Sequence, residues 1–355
     1  MEGLSITESA GGVPPPIAGA PTSIALFAGW APSGPIDRAM HLQSVLDYQD
    51  NVGSIDPTSL LGHAVYHFYD GGNAGADAYA LRIAGASSAP VGPKDEVFLS
   101  SLRAAFAENG PVDQIEELNL ICVPGLTEPG MIAMLQACAR RRGAFLVVDC
   151  DEGATVTTIA ASLQVKTGAD APNSALYFPW VVAPDLSPDG TTRAYPPCGF
   201  VAGLYARIDR QRGVWKAPAG DGAVLTGALG LSVSINDAES SALNPLGINC
   251  LRSFPNTGPV VWGARTLASS PDGSDGKYVS VRRLTIYLEQ SLTAGLQWAV
   301  FQPNNEVLWE KLRRSVGTFM SGLYREGAFQ GTASAQAYIV ICDATTTTQA
   351  DITAA

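Results

Sequence analysis

An α/β fold with a largely parallel sheet is what this sequence predicts, and three observations carry the prediction. Between residues 117 and 184 strand-like and helix-like runs alternate: ELNLICVPG, PGMIAMLQACARRRG, AFLVVDCDE, TVTTIAASLQVKTG and SALYFPWVVAP. The strand runs are almost continuously apolar, the pattern of strands covered on both faces. The chain has 355 residues, 46% of them hydrophobic and only 15% charged, which rules out a disordered chain. That length predicts two domains at ~150 residues each.

The elements follow in order. Residues 1–20 read as an extended arm in which LSITES is a short pairing strand. GGVPPPIAG (11–19) is barred from regular structure, because each proline removes a donor and fixes its own φ. TSIALFAG (22–29) is an apolar strand. DPTSLLGHAVYHFYDGG (56–72) reads as a helix with Asp56 as cap, Pro57 in the first turn and Gly71 at the exit. AYALRIA (78–84) is a strand, and SSAPVGPK (87–94) is a linker-like boundary. Beyond the α/β region, NCLRSF and PVVWGART are short strands before two long helices at 278–300 and 304–326. AYIVICD (337–343) reads as a final strand before a loose polar end.

Composition excludes several functions. The net charge of −11 is the wrong sign for phosphate neutralisation, so no nucleic-acid partner is expected. No apolar run approaches the ~20 residues that span a bilayer, and MEGLSITESAGG has neither the basic start nor the apolar core of a signal peptide. The six cysteines form no C-x-x-C and read as buried free thiols.

Each trace of catalytic chemistry has a plainer reading. His63 and His67 have the spacing of a two-histidine metal pair, but Ala64 stands where a zinc hydrolase needs Glu, so no metal is expected. Asp149 and Asp151 end an apolar strand, where α/β enzymes place carboxylates, yet no histidine occurs after residue 67 to complete a triad. DEGATV reads instead as the cap of the next helix. Arg140, Arg141 and Arg142 close a helix at the negative end of its dipole. There is no G-x-x-x-x-G-K-S/T, and the Gly-rich stretch 220–232 lacks the phosphate-loop lysine, so no nucleotide or other cofactor is expected. The helix 304–326 is more informative. At 100° per residue, Leu308, Trp309, Leu312, Val316, Phe319, Met320 and Leu323 form one apolar stripe. Lys311, Arg314 and Arg325 gather on the far side, a candidate docking face for an acidic partner.

Several motifs then resemble the sheath family of contractile phage tails and related injection systems. They are INCLRSFPNTGPVVWGARTLAS (248–269), KYVSVRRLTIYLEQSL (277–292), WAVFQPNNEVLWEKLRRSV (298–316) and QAYIVICDATTTT (336–348). Towards the other end, GAPTSIALFAGWAPSGP (19–35) and residues 59–84 resemble the family's first core strand and its helix, GG turn and strand. The resemblance implies a compact α+β domain facing an inner tube, built from 21–86 with 248–355. It implies an inserted outer domain over 87–247 of subtilisin-like α/β topology without protease chemistry. It further implies a non-enzymatic subunit that polymerises as stacked, hexameric rings around the tube and contracts to drive the tube through a target envelope. The implied partners are copies of itself, the tube protein and the baseplate and tail-terminator proteins. Assembly would occur in the bacterial cytoplasm, within a virion tail or a phage-tail-like particle released outside the cell. Lys311, Arg314 and Arg325 would dock on the tube, and the arm residues Leu4, Ser5, Ile6, Thr7 and Glu8 would pair with a neighbour. Two departures stand out. GLSITES (3–9) lacks the family's Pro and aromatic, and the family's late Gly-rich and final strands have no counterpart before Ala355. The second departure raises a shortened paralogue with a capping or regulatory role as the alternative, and an α/β hydrolase is the remote one.

Overall fold

The computed structural model describes residues 15–73, 75–84, 92–161, 169–186, 190–268 and 275–346; the proposed arm strand Leu4–Glu8 lies outside them. In chain order the elements begin with β1 (Ala25–Gly29), β2 (Ala39–Leu42), α1 (Val45–Val52), α2 (Leu60–Asp70) and β3 (Ala78–Arg82). Next come α3 (Glu96–Ala105), β4 (Leu120–Cys122), α4 (Pro129–Arg142), β5 (Phe145–Asp149), α5 (Val156–Ala161) and β6 (Ser174–Phe178). Then follow β7 (Val181–Pro184), β8 (Thr192–Tyr195), α6 (Cys198–Arg212), β9 (Gly230–Leu231), α7 (Asp237–Leu243), β10 (Ile248–Phe254) and β11 (Gly258–Val261). The last are α8 (Val279–Gly295), α9 (Glu306–Arg325) and the short α10 (Ser334–Ala337).

Eight strands form one sheet in the order β11-β10-β6-β5-β4-β1-β3-β2. The six inner strands are parallel, and β2 and β11 close the edges antiparallel. Side-chain alternation sorts the core onto two faces. Phe27, Leu120, Phe145 and Tyr177 pack with α2 and α6 on one; Leu26, Ile121, Leu146 and Phe178 pack with α3 and α4 on the other. β8, β7 and β9 form a small antiparallel sheet. The run 174–184 therefore is not one strand: it divides at Pro179, which has no N–H to continue a ladder, and its two halves serve different sheets.

α2 and α6 cross closely because α6 carries glycines at the contact. A Cβ on Gly199 would stand 2.6 Å from the Ala64 carbonyl oxygen, and one on Gly203 would stand 3.0 Å from that of Phe68. Gly199→Val should therefore cost about 1–3 kcal/mol by overpacking. Urea unfolding measures this, and a variant as stable as the parent would mean the two helices can separate freely.

Local signals place several caps differently from expectation. α2 is capped by Ser59, whose Oγ accepts from Gly62 N; Asp56 instead accepts from Thr58 N at 2.7 Å one turn earlier. Thr155, not the DEG stretch, caps α5 through its Oγ1 and Thr158 N. The arginines that end α4 do more than face a dipole. Arg140 pairs with Asp170 at 2.6 Å, Arg141 with Asp113 at 2.9 Å, and Arg142 donates to the Asp113 carbonyl at 3.2 Å. Five cysteines are buried, while Cys342 is only half-buried; all six are free thiols.

The compact units are Pro21–Ile286 and, from both chain ends, Met1–Ala20 with Tyr287–Ala355. The expected divisions at 87 and 248 are corrected by the sheet itself. Strands from 25–82, 120–178 and 248–261 hydrogen-bond side by side, so no cut at 87 or 248 spares the ladder. Within the smaller unit, Ile17 lies where a Cβ on Gly295 would be 2.7 Å away, and Ala20 N donates to Ser291 Oγ at 2.9 Å. AYIVICD is no strand here: Ala337 ends α10, and 338–342 run without a ladder partner among the described residues. Ile339 and Ile341 along it are exposed.

Candidate functional site

Doubly wound sheets place ligands outside the carboxyl ends of the strands where the winding reverses. Here the chain leaves β1 for β3 on one side and returns to β4 on the other, so the crevice lies between β1 and β4. A cleft of about 490 Å³ opens there, lined by Gly29 and Trp30 after β1, Gly125 after β4 and Asp151 after β5, with Lys94, Trp180 and Arg193 around it. Lys94, Asp151 and Arg193 have partners there, and Glu152 is exposed beside them. Lys94 Nζ and Thr127 Oγ1 each donate to Asp151 Oδ1 at 3.0 Å, and Arg193 Nη1 donates to the Pro57 carbonyl. Burial raises the Asp151 carboxyl, but these two donors outweigh it and leave its pKa below the usual value.

Asp149 sits deeper, 2% exposed, and accepts from Gly125 N at 2.9 Å and Cys198 N at 2.8 Å. It ties the β4 turn, where Gly125 has φ +74°, to the start of α6. Burial pushes its pKa up to about 6, while the two backbone donors pull it back. It is a cap, but of α6 rather than of the helix that follows β5. Burial also holds the Cys150 and Cys198 thiols well above their ordinary value, so they carry no reactive thiolate. His63 and His67 lie in the α2–α6 layer, 1% and 2% exposed, against Tyr195 and Phe200. Among the residues lining the cleft there is no histidine. Among the described residues, the position where an α/β enzyme holds a nucleophile beside a base holds a helix cap and the Lys94–Asp151 ion pair.

The basic stripe lies on the smaller unit. Lys311 and Arg314 come together on one rim of a groove of about 520 Å³. Pro15, Pro16, Ile17, Tyr287, Phe319 and Leu323 line the groove as well, together with the carboxylate of Glu326. Arg325 is exposed further along α9, outside the groove lining, and its Nε donates to the Ser321 carbonyl at 3.2 Å. Arg314 pairs with Glu310 across one helical turn at 2.8 Å, both side chains mostly exposed. Helical periodicity groups the three residues, of which only Lys311 and Arg314 line the groove. The groove was beyond sequence reasoning, since four of its thirteen lining residues come from a segment nearly three hundred residues away.

A second feature that periodicity misses is Phe301, in the turn between α8 and α9. It is fully exposed, and its φ is +67°.

Comparison with known proteins bears on both regions. The family described as the phage tail sheath protein central domain matches residues 107–267. The tail sheath protein of Vibrio phage KVP40 is 26% identical over 154 residues, 43% of this chain; the match spans only 22% of that protein. Structural likeness extends across the whole chain. The sheath complex of the PVC extracellular contractile injection system, in its contracted state, is 26% identical with a TM-score of 0.78, covering 100% of this chain and 90% of that one. The helical sheath of the anti-feeding prophage, also contracted, is 27% identical with a TM-score of 0.77, covering 99% of this chain and 92% of that one.

Proposed function

Taking this chain as the contractile tail sheath protein that the family match and the whole-length likeness make it, we propose that its copies stack as rings around an inner tube and shorten to drive that tube through a target envelope. The observation that carries the reading is likeness over 99–100% of the chain to two sheaths in their contracted state. Energy for shortening would come from contacts made only in the contracted packing, a shift between two lattices of the same rigid subunits. The large sheet with helices on both faces suits a body that moves without deforming.

Two local features support the details. Residues 338–342 run extended without a ladder partner, alternating exposed Ile339 and Ile341 with half-buried Val340 and Cys342. Residues 339–341 of this segment suit pairing with the proposed arm residues Leu4–Glu8 of a neighbouring copy, because an unladdered stretch templates an added strand, while Cys342 is held by Arg313, which donates to its carbonyl. Lys311, Arg314 and Arg325 supply a basic face on an acidic chain, suited to an acidic tube surface. Baseplate and terminator proteins would contact the ends of such an array.

The test is co-production with the cognate tube protein, followed by electron microscopy. The parent chain should give extended sheaths on tubes. The double change Lys311→Glu, Arg314→Glu should leave the fold intact, because the one ion pair it breaks among the described residues is exposed and worth little. It should abolish extended sheaths. Sheaths of normal length from the double variant would remove the docking role, and a parent chain that never assembles on tubes would remove the sheath reading.

A further inference from the structure

Phe301 is the most exposed large apolar side chain among the described residues at 101% of its reference area, and Val300 beside it is 52% exposed. Chance exposure of a single apolar residue is common, but here the backbone is also strained. A left-handed φ of +67° in an aromatic residue is unfavourable and persists only where surrounding bonds fix it. Those bonds are present. Gln302 N donates to the Ala299 carbonyl at 3.1 Å, Val300 N to that of Gln297 at 3.2 Å, and Asn305 caps α9 by accepting from Leu308 N at 3.1 Å. Trp309 Nε1 closes the turn on Asn304 Oδ1. The ring is thus held out in water by a turn that costs energy to make. The turn's hydrogen bonds fix the backbone, but the fully exposed ring packs on none of the described residues, so a packing gain for the ring has to come from a partner. A rigid, pre-exposed aromatic is the anchor type that dominates protein interfaces.

The same unit carries a receptor of matching chemistry. The groove between the N-terminal segment and α9 has a volume of about 520 Å³ and an aromatic and aliphatic floor of Pro16, Ile17, Tyr287, Phe319 and Leu323. A Phe ring fits such a floor by offset contact with Tyr287 and Phe319, whose centroids are 6.2 Å apart. Phe301 is not among the residues lining the groove, so it does not fill the groove of its own copy.

We propose that Phe301 of one copy seats in this groove of a second copy. The inference rests on the sheath reading for the existence of self-assembly and adds the contact. Knob and groove are different surfaces, so the contact is head-to-tail and leaves one of each unused on every pair. Contacts of that kind propagate into rings or helical arrays rather than closing as a dimer. Lys311, Arg314 and Glu326 line the same groove, so its walls carry charge of both signs beside the apolar residues.

The test places the photoreactive phenylalanine analogue p-benzoylphenylalanine at position 301 of the full chain. This copy is mixed with an isotope-labelled parent copy, irradiated with and without tube protein, and the cross-linked peptides are identified by mass spectrometry. The expected result is a cross-link from 301 of one copy to residues 15–19 or 311–326 of the other. Phe301→Ala should raise the concentration needed for assembly by about tenfold or more, without changing the unfolding midpoint of the monomer. Filling the groove with Gly322→Trp should do the same. Cross-links only to the tube, only to another part of this chain, or to no second copy at all would overturn the proposal. So would unchanged assembly of either variant. A chain that sheathes tubes without the cross-link sinks the contact alone; the cross-link in a chain that never sheathes a tube sinks the sheath reading alone.

Discussion

Arg283→Ala is expected to remove about 3–5 kcal/mol of stability, a large share of the ~5–15 kcal/mol that holds a typical domain together. Arg283 on α8 and Asp209 on α6 are each only 4% exposed. Their contact is two-pronged: Nη2 to Oδ2 at 2.6 Å and Nη1 to Oδ1 at 3.0 Å. Nη2 also donates to the Thr22 carbonyl at 2.8 Å, and the guanidinium lies 4.5 Å from the centre of the Tyr205 ring. The Tyr205 hydroxyl in turn shares a hydrogen bond with that of Tyr177 on β6. One cation therefore serves a helix, the entry to β1 and a core aromatic pair. Truncating it strands the Asp209 carboxylate away from water, and that stranded charge accounts for most of the loss. Replacing both partners, as in Arg283→Met with Asp209→Leu, should recover most of it, since no charge is then left buried. Urea titrations of the parent, both single variants and the double variant measure the coupling. A cost below about 1 kcal/mol for Arg283→Ala would mean that Asp209 reaches solvent after truncation.

How far the fold was legible follows the range of the signals. β4, α4 and β5 carry their pattern within about fifteen residues each and stand where the sequence places them, while β6 is only the first half of the run read as one strand. α4 is marked at both ends: Glu128 accepts from Gly130 N and Met131 N, and Gly143 takes φ +60°. α6 went unread because its period is blurred. Ten of its fifteen residues are buried, including Gly199 and Gly203, so no polar face alternates with an apolar one. The division of the chain was misread for another reason. A linker-like composition at 87–94 marks a surface segment, but only strand pairing tells whether the sheet continues past it, and pairing is non-local. The strand reading of 337–343 failed on the same point. β-branched alternation makes a segment fit to pair, while a ladder also needs a second strand, which no described residue of the chain supplies. On the functional side, the neighbourhood of Lys311 and Arg314 on α9 was readable from one helix, but the separation of Arg325 from their groove was not. Phe301 stood in plain view within a motif, but exposure is not a property of sequence.

The last expectation concerns acid. His67 is 2% exposed, stacked 3.9 Å from Phe200, and neither ring nitrogen has a hydrogen-bond partner among the described residues. Around it stand His63 and Tyr66 of its own helix and Tyr195 of β8, while Asp185 and Arg193 act on His63. Burial, helped by His63, pushes the His67 pKa from near 6.5 down to about 3. The unfolded chain therefore takes up the proton first. The stability this residue contributes is complete above pH 6.5 and falls by about 1.4 kcal/mol per unit between pH 6.5 and 3. Asp149 works in the opposite sense. Its pKa of about 6 lies above the ordinary 3.8, so between those values the folded chain holds the extra proton and acid stabilises it. The two slopes have equal size and opposite sign from pH 6 to 3.8, so each hides the other in the parent protein. Substitution separates them. His67→Phe, which keeps a ring against Phe200, should gain about 2–3 kcal/mol relative to the parent between pH 7 and pH 4.5. Asp149→Asn should lose about 2 kcal/mol relative to the parent between pH 6 and pH 4.5, since it keeps the helix cap but not the titration. Urea unfolding of the three chains at pH 7, 6 and 4.5 measures both differences. Parallel curves for parent and His67→Phe would show that the imidazole is solvated in the folded protein, and the close α2–α6 packing drawn around it would then be wrong.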